Sequence, residues 1–180
     1  MVIATILKKM LISRGFTTEK SRIKMFGKMD WTLYPSTGFA HILQEIGNRM
    51  GPEELYRIGY EEGLANGEEI LKASGAKIKG GWISLQLVIA LLDFIGYGNV
   101  QFIKNEIKSD GHHHVIIHVF NNPIVEHAKE MYGEKSHVCN FIAGLFSGHG
   151  EIELGIKNAH LREKTCICKG AQYYEFESKY

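Results

Sequence analysis

With three prolines and three cysteines in 180 residues, the chain has little to interrupt regular structure and no means of building a disulfide framework. An odd number of cysteines cannot close into pairs. All three, Cys139, Cys166 and Cys168, fall in the last quarter, where clustering favours a metal or a reactive thiol over a bridge and suits a reducing compartment. An excess of one charge is also missing: 21 basic and 20 acidic side chains give a net charge of +1, with no long run of either sign. That excludes the electrostatic footprint of a nucleic-acid binder. No apolar run reaches the roughly 18 residues that a bilayer span needs. Nor is there a Gly-rich dinucleotide fingerprint after a strand, or a Ser/His/Asp or paired-carboxylate arrangement of catalytic type.

What is present is ordinary globular composition, 44% hydrophobic and 23% charged. A chain of this length buries roughly 70% of its unfolded surface, enough for a core without staples. The first residues are apolar, but Lys8 and Lys9 interrupt them and no small-residue cleavage site follows. A secretory signal has the opposite order, so the expected location is cytoplasmic. Residues 1–21 read as an N-terminal helical appendage and residues 22–180 as one domain. No repeat, low-complexity segment or linker stands out.

Apolar spacing predicts a helix over residues 2–12, a polar loop from Arg14 to Lys20, and an irregular or extended stretch from Arg22 to Leu33. Pro35-Ser36 opens a helix carrying Phe39, Ile42, Leu43, Ile46 and Met50. A second starts at Pro52, where proline costs no hydrogen bond and Glu53 and Glu54 suit the positive helix end. Within it Gly59, Gly63 and Gly67 share one face, although each glycine costs about 1 kcal/mol against alanine. Close approach of a neighbouring element is the simpler reason; space for a ligand against bare backbone is the alternative. Leu85–Ile95 is apolar almost all round, as in a buried helix. Strands are expected over Asn99–Ile107 and His114–Phe120, joined by a Ser109-Asp110-Gly111 turn. A short helix then covers Ile124–Met131, and an amphipathic one covers Ser136–Ser147. Strand-like segments follow at Ile152–Ile156, Leu161–Ile167 and Tyr173–Ser178. Helices followed by an antiparallel sheet with a helix inserted make an α+β fold: an antiparallel sheet packed against several helices, its C-terminal hairpin tied to the last long helix.

The C-terminal third concentrates the chemistry. Cys139 lies on the last long helix, while Glu163, Cys166 and Cys168 lie on the terminal hairpin. Thiolates with a carboxylate suit zinc, which takes four tetrahedral ligands. The spacing matches no finger, however, and free cysteines are commonly small buried hydrophobes. On a regular strand Glu163 and Cys166 point to opposite faces, so they share an ion only where the strand bulges. His112, His113, His114 and His118 invite a metal reading as well. Alternation lets only His112, His114 and His118 share a side, and a solvated turn is the simpler reading.

From about Arg22 onward the chain resembles the vinyl-4-reductase domain family. The resemblance rests on Asn122-Pro123, on Val138-Cys139-Asn140-Phe141-Ile142-Ala143-Gly144, on Glu163-x-x-Cys166 with Gly170 after it, and on Tyr174-Glu-Phe176. It implies a structural zinc held by Cys139, Glu163 and Cys166. Where metal-binding members have a final-strand cysteine, Tyr174 stands here, and a phenol is a poor ligand near neutral pH. The fourth position therefore falls to Cys168, with His137, His160, water or a small molecule as alternatives. The family also implies a pocket for a small apolar or aromatic ligand between sheet and helices. Trp82 and His118 are the polar-edged candidates to line it.

The expected function is a stand-alone zinc-containing sensory or regulatory domain, acting as a homodimer or through a separate partner. The family name suggests an alternative, reduction of tetrapyrrole vinyl groups. Similarity in fold to TRAPP vesicle-tethering subunits suggests another, a scaffold.

Overall fold

The computed structural model describes residues 15–74, 82–108, 112–155 and 159–180, with residues 74, 82–85, 87 and 88 described by their backbone alone. Its first segment is an antiparallel meander of β1 (Phe16–Glu19), β2 (Arg22–Met25) and β3 (Met29–Trp31). The polar stretch expected as a loop thus contains a strand, with Phe16 opposite Met25 and Glu19 opposite Arg22. Only Phe16 of β1 is withdrawn from solvent, packing on the rings of Trp31 and Phe94, so the strand carried almost no apolar signal. The β1–β2 hairpin turns at residues 20–21, so its pairing crosses the boundary drawn between residues 21 and 22. The helix expected over residues 2–12 lies outside the described residues.

Two helices follow, α1 (Ser36–Met50) and α2 (Pro52–Ser74), separated by Gly51 at φ 90°. Next come α3 (Trp82–Phe94), β4 (Asn99–Ile107) and β5 (His113–Phe120), the expected turn at 109–111 lying outside the described residues. Helix α4 (Pro123–Tyr132) starts at a buried Asn122, whose side-chain oxygen accepts from the backbone of Ile124 and Val125 at 3.1 and 3.2 Å. The same side chain donates to the carbonyl of Tyr97 at 3.0 Å, which fixes the start of α4 against the end of α3. After α5 (Val138–Leu154) the chain forms β6 (Arg162–Thr165), a 3₁₀ turn (Ile167–Lys169) and β7 (Tyr174–Lys179). The four longer-range strands form one antiparallel sheet in the order β4-β5-β7-β6, and the fold is α+β.

Alternation along β5 sets the architecture. Val115, Ile117 and Val119 are buried, while Ile116, His118 and Phe120 on the other face are only partly so. The buried face joins one core with Val100, Phe176, Phe141, Ile142, Leu145 and Phe146. A second, smaller core fastens the meander: Met25 and Met29 pack with Ile70 and Ala73 of α2 and Ala90 and Leu91 of α3.

The tightest packing is α2 on α5, and it accounts for the glycine face of α2. A Cβ at Gly63 would overlap the carbonyl oxygen of Leu145, and one at Gly144 would overlap that of Tyr56. The two backbones are in direct contact, which favours close approach over a ligand groove. The same contact explains a correction. Helix α5 does not stop at Ser147 but runs to Leu154, and Ile152–Leu154 are helical, not strand-like. Glycines at 144, 148 and 150 weaken this segment locally, and its packing on α2 holds it helical.

Candidate functional site

Two local structures converge on the cysteines. Gln44 of α1 fixes the entry to α5: its Oε1 accepts from the His137 backbone at 2.9 Å and its Nε2 donates to the Lys135 carbonyl at 3.0 Å. Cys139 follows in the first helical turn. From the other side, pairing of β6 with β7 shifts register between Glu163 and Thr165, and the strand ends there. Cys166 then enters the 3₁₀ turn, its sulfur accepting from the Cys168 backbone at 3.4 Å. Period-two alternation therefore stops applying before Cys166, and the turn brings Cys166 and Cys168 to the same place.

The three sulfurs lie within 4.8 Å of one another, all buried, and form the one group of three or more metal-type donors found among the described residues. Cys139 and Cys166 come closest, at 2.6 Å, and none of the three is in a disulfide. Hydrogen bonding to Cys166 and Cys168, with burial added, pushes the Cys139 thiol far up. Hydrogen bonds from Cys139 and Cys166 pull the Cys168 thiol down to about 3.

Glu163 stands beside this group. Its carboxylate pairs with Lys169 at 2.5 Å; burial pushes its pKa up, against the pull of Lys169. The hydroxyl of Tyr174 is the one fully enclosed side-chain polar atom without a hydrogen-bond partner among the described residues. Burial first, then the charge of the neighbouring thiols, keeps this phenol protonated far above its usual range. The other histidines considered as ligands are engaged elsewhere. His137 packs on Gly47 of α1, and His160 lies against the rings of Tyr56 and Tyr60.

The donor set fits zinc. Sulfurs bound tetrahedrally at about 2.3 Å from the ion lie roughly 3.8 Å apart, so binding would spread the Cys139–Cys166 pair within a cluster already drawn together.

A second feature lies at the opposite end of α5. Ile89 and Leu92 of α3, Val100 and Phe102 of β4, Val115 and Ile117 of β5 and Phe146 of α5 enclose an apolar cavity. The space open to the centre of a water molecule is about 50 Å³, several times what one water needs. His149 and Glu153, one turn apart on α5, bring polar groups to its wall. Sequence reasoning missed both, because ending the helix at Ser147 separated them. Read as a continuous helix, the spacing of four would have paired them.

The two residues expected to line a pocket fare differently. His118 is on the outer face of the sheet, since β5 turns Ile117 and Val119 inward; its Nε2 meets Glu175 Oε2 at 2.7 Å and its ring stacks on Tyr173. It does not line this cavity but hydrogen-bonds Glu175 on the other face of the sheet. The side chain of Trp82 lies outside the described residues. The histidine run is likewise divided by alternation: His113 is buried and meets Ser178 Oγ at 2.7 Å, while His114 faces out to Glu177. Among the described residues no helix is long and apolar enough to cross a membrane.

No protein family matches the chain in a comparison of family profiles, and no curated protein matches it. Among solved structures, the chain is similar to the phenol-responsive sensory domain of the transcription activator PoxR, solved with phenol. The TM-score is 0.69 at 15% identity, over 97% of this chain and 89% of that one. At that identity the likeness establishes a shared fold.

Proposed function

We propose that this chain is a sensory or regulatory domain of the vinyl-4-reductase type that takes a small apolar or aromatic molecule between α3, α5 and the inner face of the sheet. The observation that carries this reading is the apolar cavity between two helices and the sheet, lined mostly by apolar side chains with His149, Glu153 and Ser178 as its polar groups. The shared fold with a phenol-responsive domain supports it.

Zinc has a structural part in the proposal. Cys139, Cys166 and Cys168 would hold the ion, with Glu163 and the Tyr174 hydroxyl beside it. Bound there, the metal would supply a crosslink between the start of α5 and the terminal hairpin. The protein's own residues prepare that crosslink: the Gln44 clamp sets Cys139, and the register shift in β6 releases Cys166 from the strand. Unoxidised thiols suit the reducing cytoplasm. Output would pass through a second copy of the chain, which sedimentation at increasing concentration tests.

A thermal-shift and calorimetric screen of small aromatics, alicyclics and fatty acids tests ligand binding. Saturable binding of at least one compact apolar compound is the expected result. Turnover of a tetrapyrrole with a reduced cofactor, with no compound bound, would favour the reductase alternative instead.

A further inference from the structure

Helix α5 carries three glycines, at 144, 148 and 150. Contact with α2 accounts for two of them. A Cβ at Gly144 would overlap the Tyr56 carbonyl oxygen, and one at Gly148 would overlap that of Tyr60, so nothing larger fits at either. Gly150 is different. Among the described residues the nearest atom to a Cβ built there is Ala159 Cβ at 3.6 Å, an ordinary van der Waals separation. Its backbone is helical with no positive φ, so any residue could adopt it. Alanine is the better helix former, and glycine therefore weakens α5 here with nothing in its packing or conformation that requires it.

Its position shows what the missing side chain would have filled. Phe146, Gly150 and Leu154 recur at intervals of four on α5, and all three line the apolar cavity. Gly150 is the middle of that row, between two large side chains. Ala159, its neighbour on the wall, is small as well. Ser178 is the remaining small residue of the wall, and its hydroxyl meets His113 Nε2 at 2.7 Å. The room beside α5 thus exists because position 150 ends at its backbone. The space of about 50 Å³ open to the centre of a water molecule corresponds to about four waters, the scale of one six-membered ring. Space for a ligand against bare backbone, which the glycine face of α2 does not leave, is found at Gly150.

We propose that Gly150 is a specificity-determining residue of the cavity, keeping open, together with Ala159, the space that a single ring of a compact apolar ligand fills. A carbon added at position 150 occupies volume the ring needs, and the helix is left weaker where that volume is kept. This rests on the ligand-binding reading above and adds to it the residue that sets ligand size and the size class, one ring without a long chain.

The test is calorimetric binding of toluene, propylbenzene, phenol and 4-propylphenol to the whole chain, in the parent and in Gly150→Ala, with the Tm of both proteins measured without probe. Toluene or phenol should bind the parent saturably, and more tightly than its own propyl analogue, although the longer chain is more apolar. Gly150→Ala should raise Tm by about 2–4 °C and weaken that probe at least about tenfold. An unchanged affinity in the variant, or a propyl compound bound to the parent at least as tightly as its shorter counterpart, overturns the size proposal while the pocket stands. A lowered Tm or a variant that fails to fold also overturns it, because packing would then account for the glycine. If none of the four binds the parent, the ligand-binding reading falls with it.

Discussion

The contact between α2 and α5 gives the sharpest stability prediction, because it reverses the sign of a familiar substitution. Replacing a mid-helix glycine by alanine ordinarily stabilises a helix by about 1 kcal/mol. At Gly63 the added methyl would overlap the Leu145 carbonyl oxygen and lie 3.1 Å from both Gly148 Cα and the His149 backbone nitrogen. These are backbone atoms, so relief requires moving α5 as a body, along with the core residues Phe141, Ile142 and Leu145. Overpacking of this kind costs about 1–3 kcal/mol or more, which outweighs the propensity gain. With overpacking at about 3 kcal/mol and the propensity gain of about 1 kcal/mol set against it, about 2 kcal/mol remains, and at about 2–4 °C per kcal/mol for a chain of this length Gly63→Ala should lower Tm by about 4–8 °C. Urea unfolding should show a reduced midpoint at unchanged slope. Gly67→Ala is the control: its Cβ would meet only the Ile152 side chain at 3.2 Å and His149 Nδ1 at 3.5 Å, groups that can yield, and its Tm should move by less than about 2 °C. A Gly63→Ala protein as stable as its parent would refute the claim that the two backbones touch.

Other expectations concern the thiol cluster, the α4 cap and a buried phenol. Protein purified under reducing conditions should carry about one zinc per chain, by mass spectrometry and metal analysis. Cys166→Ala should lose it, and unchanged zinc in that variant sinks the assignment. Asn122→Ala removes the α4 cap and the bond to the Tyr97 carbonyl together, and should cost about 2–3 kcal/mol in urea unfolding. Burial, with the Glu62 carboxylate adding to it, pushes the Tyr97 hydroxyl up to about 12. The folded state then holds a proton that the unfolded chain releases near pH 10. The stability this gives is complete below pH 10 and is lost as the pH rises through 12. Tyr97→Phe should shed up to about 2 kcal/mol less between those limits, and parallel pH profiles for the two proteins would show the reasoning wrong.

Sequence alone determined most elements and their class. Proline at 52 and 123, the acids at 53 and 54, and the alternation of β4 and β5 are local signals, set within a few residues by backbone sterics and side-chain period. The family resemblance, not the spacing of the residues, grouped Cys139, Glu163, Cys166 and Tyr174. Tertiary structure decided what local signals misreport. Strand β1 is nearly all polar and is held by pairing and by one ring on Trp31 and Phe94, so its pattern resembled a loop. Helix α5 continues through glycines that should weaken it because α2 packs on its backbone, and only that continuity places His149 beside Glu153. The shift in β6 that lets Cys166 reach Cys139 depends on the partner strand, since register is a property of two strands and cannot be read from one. His118 looked like a pocket residue because its run is apolar. Which face of β5 turns inward was decided by the helices packed against it.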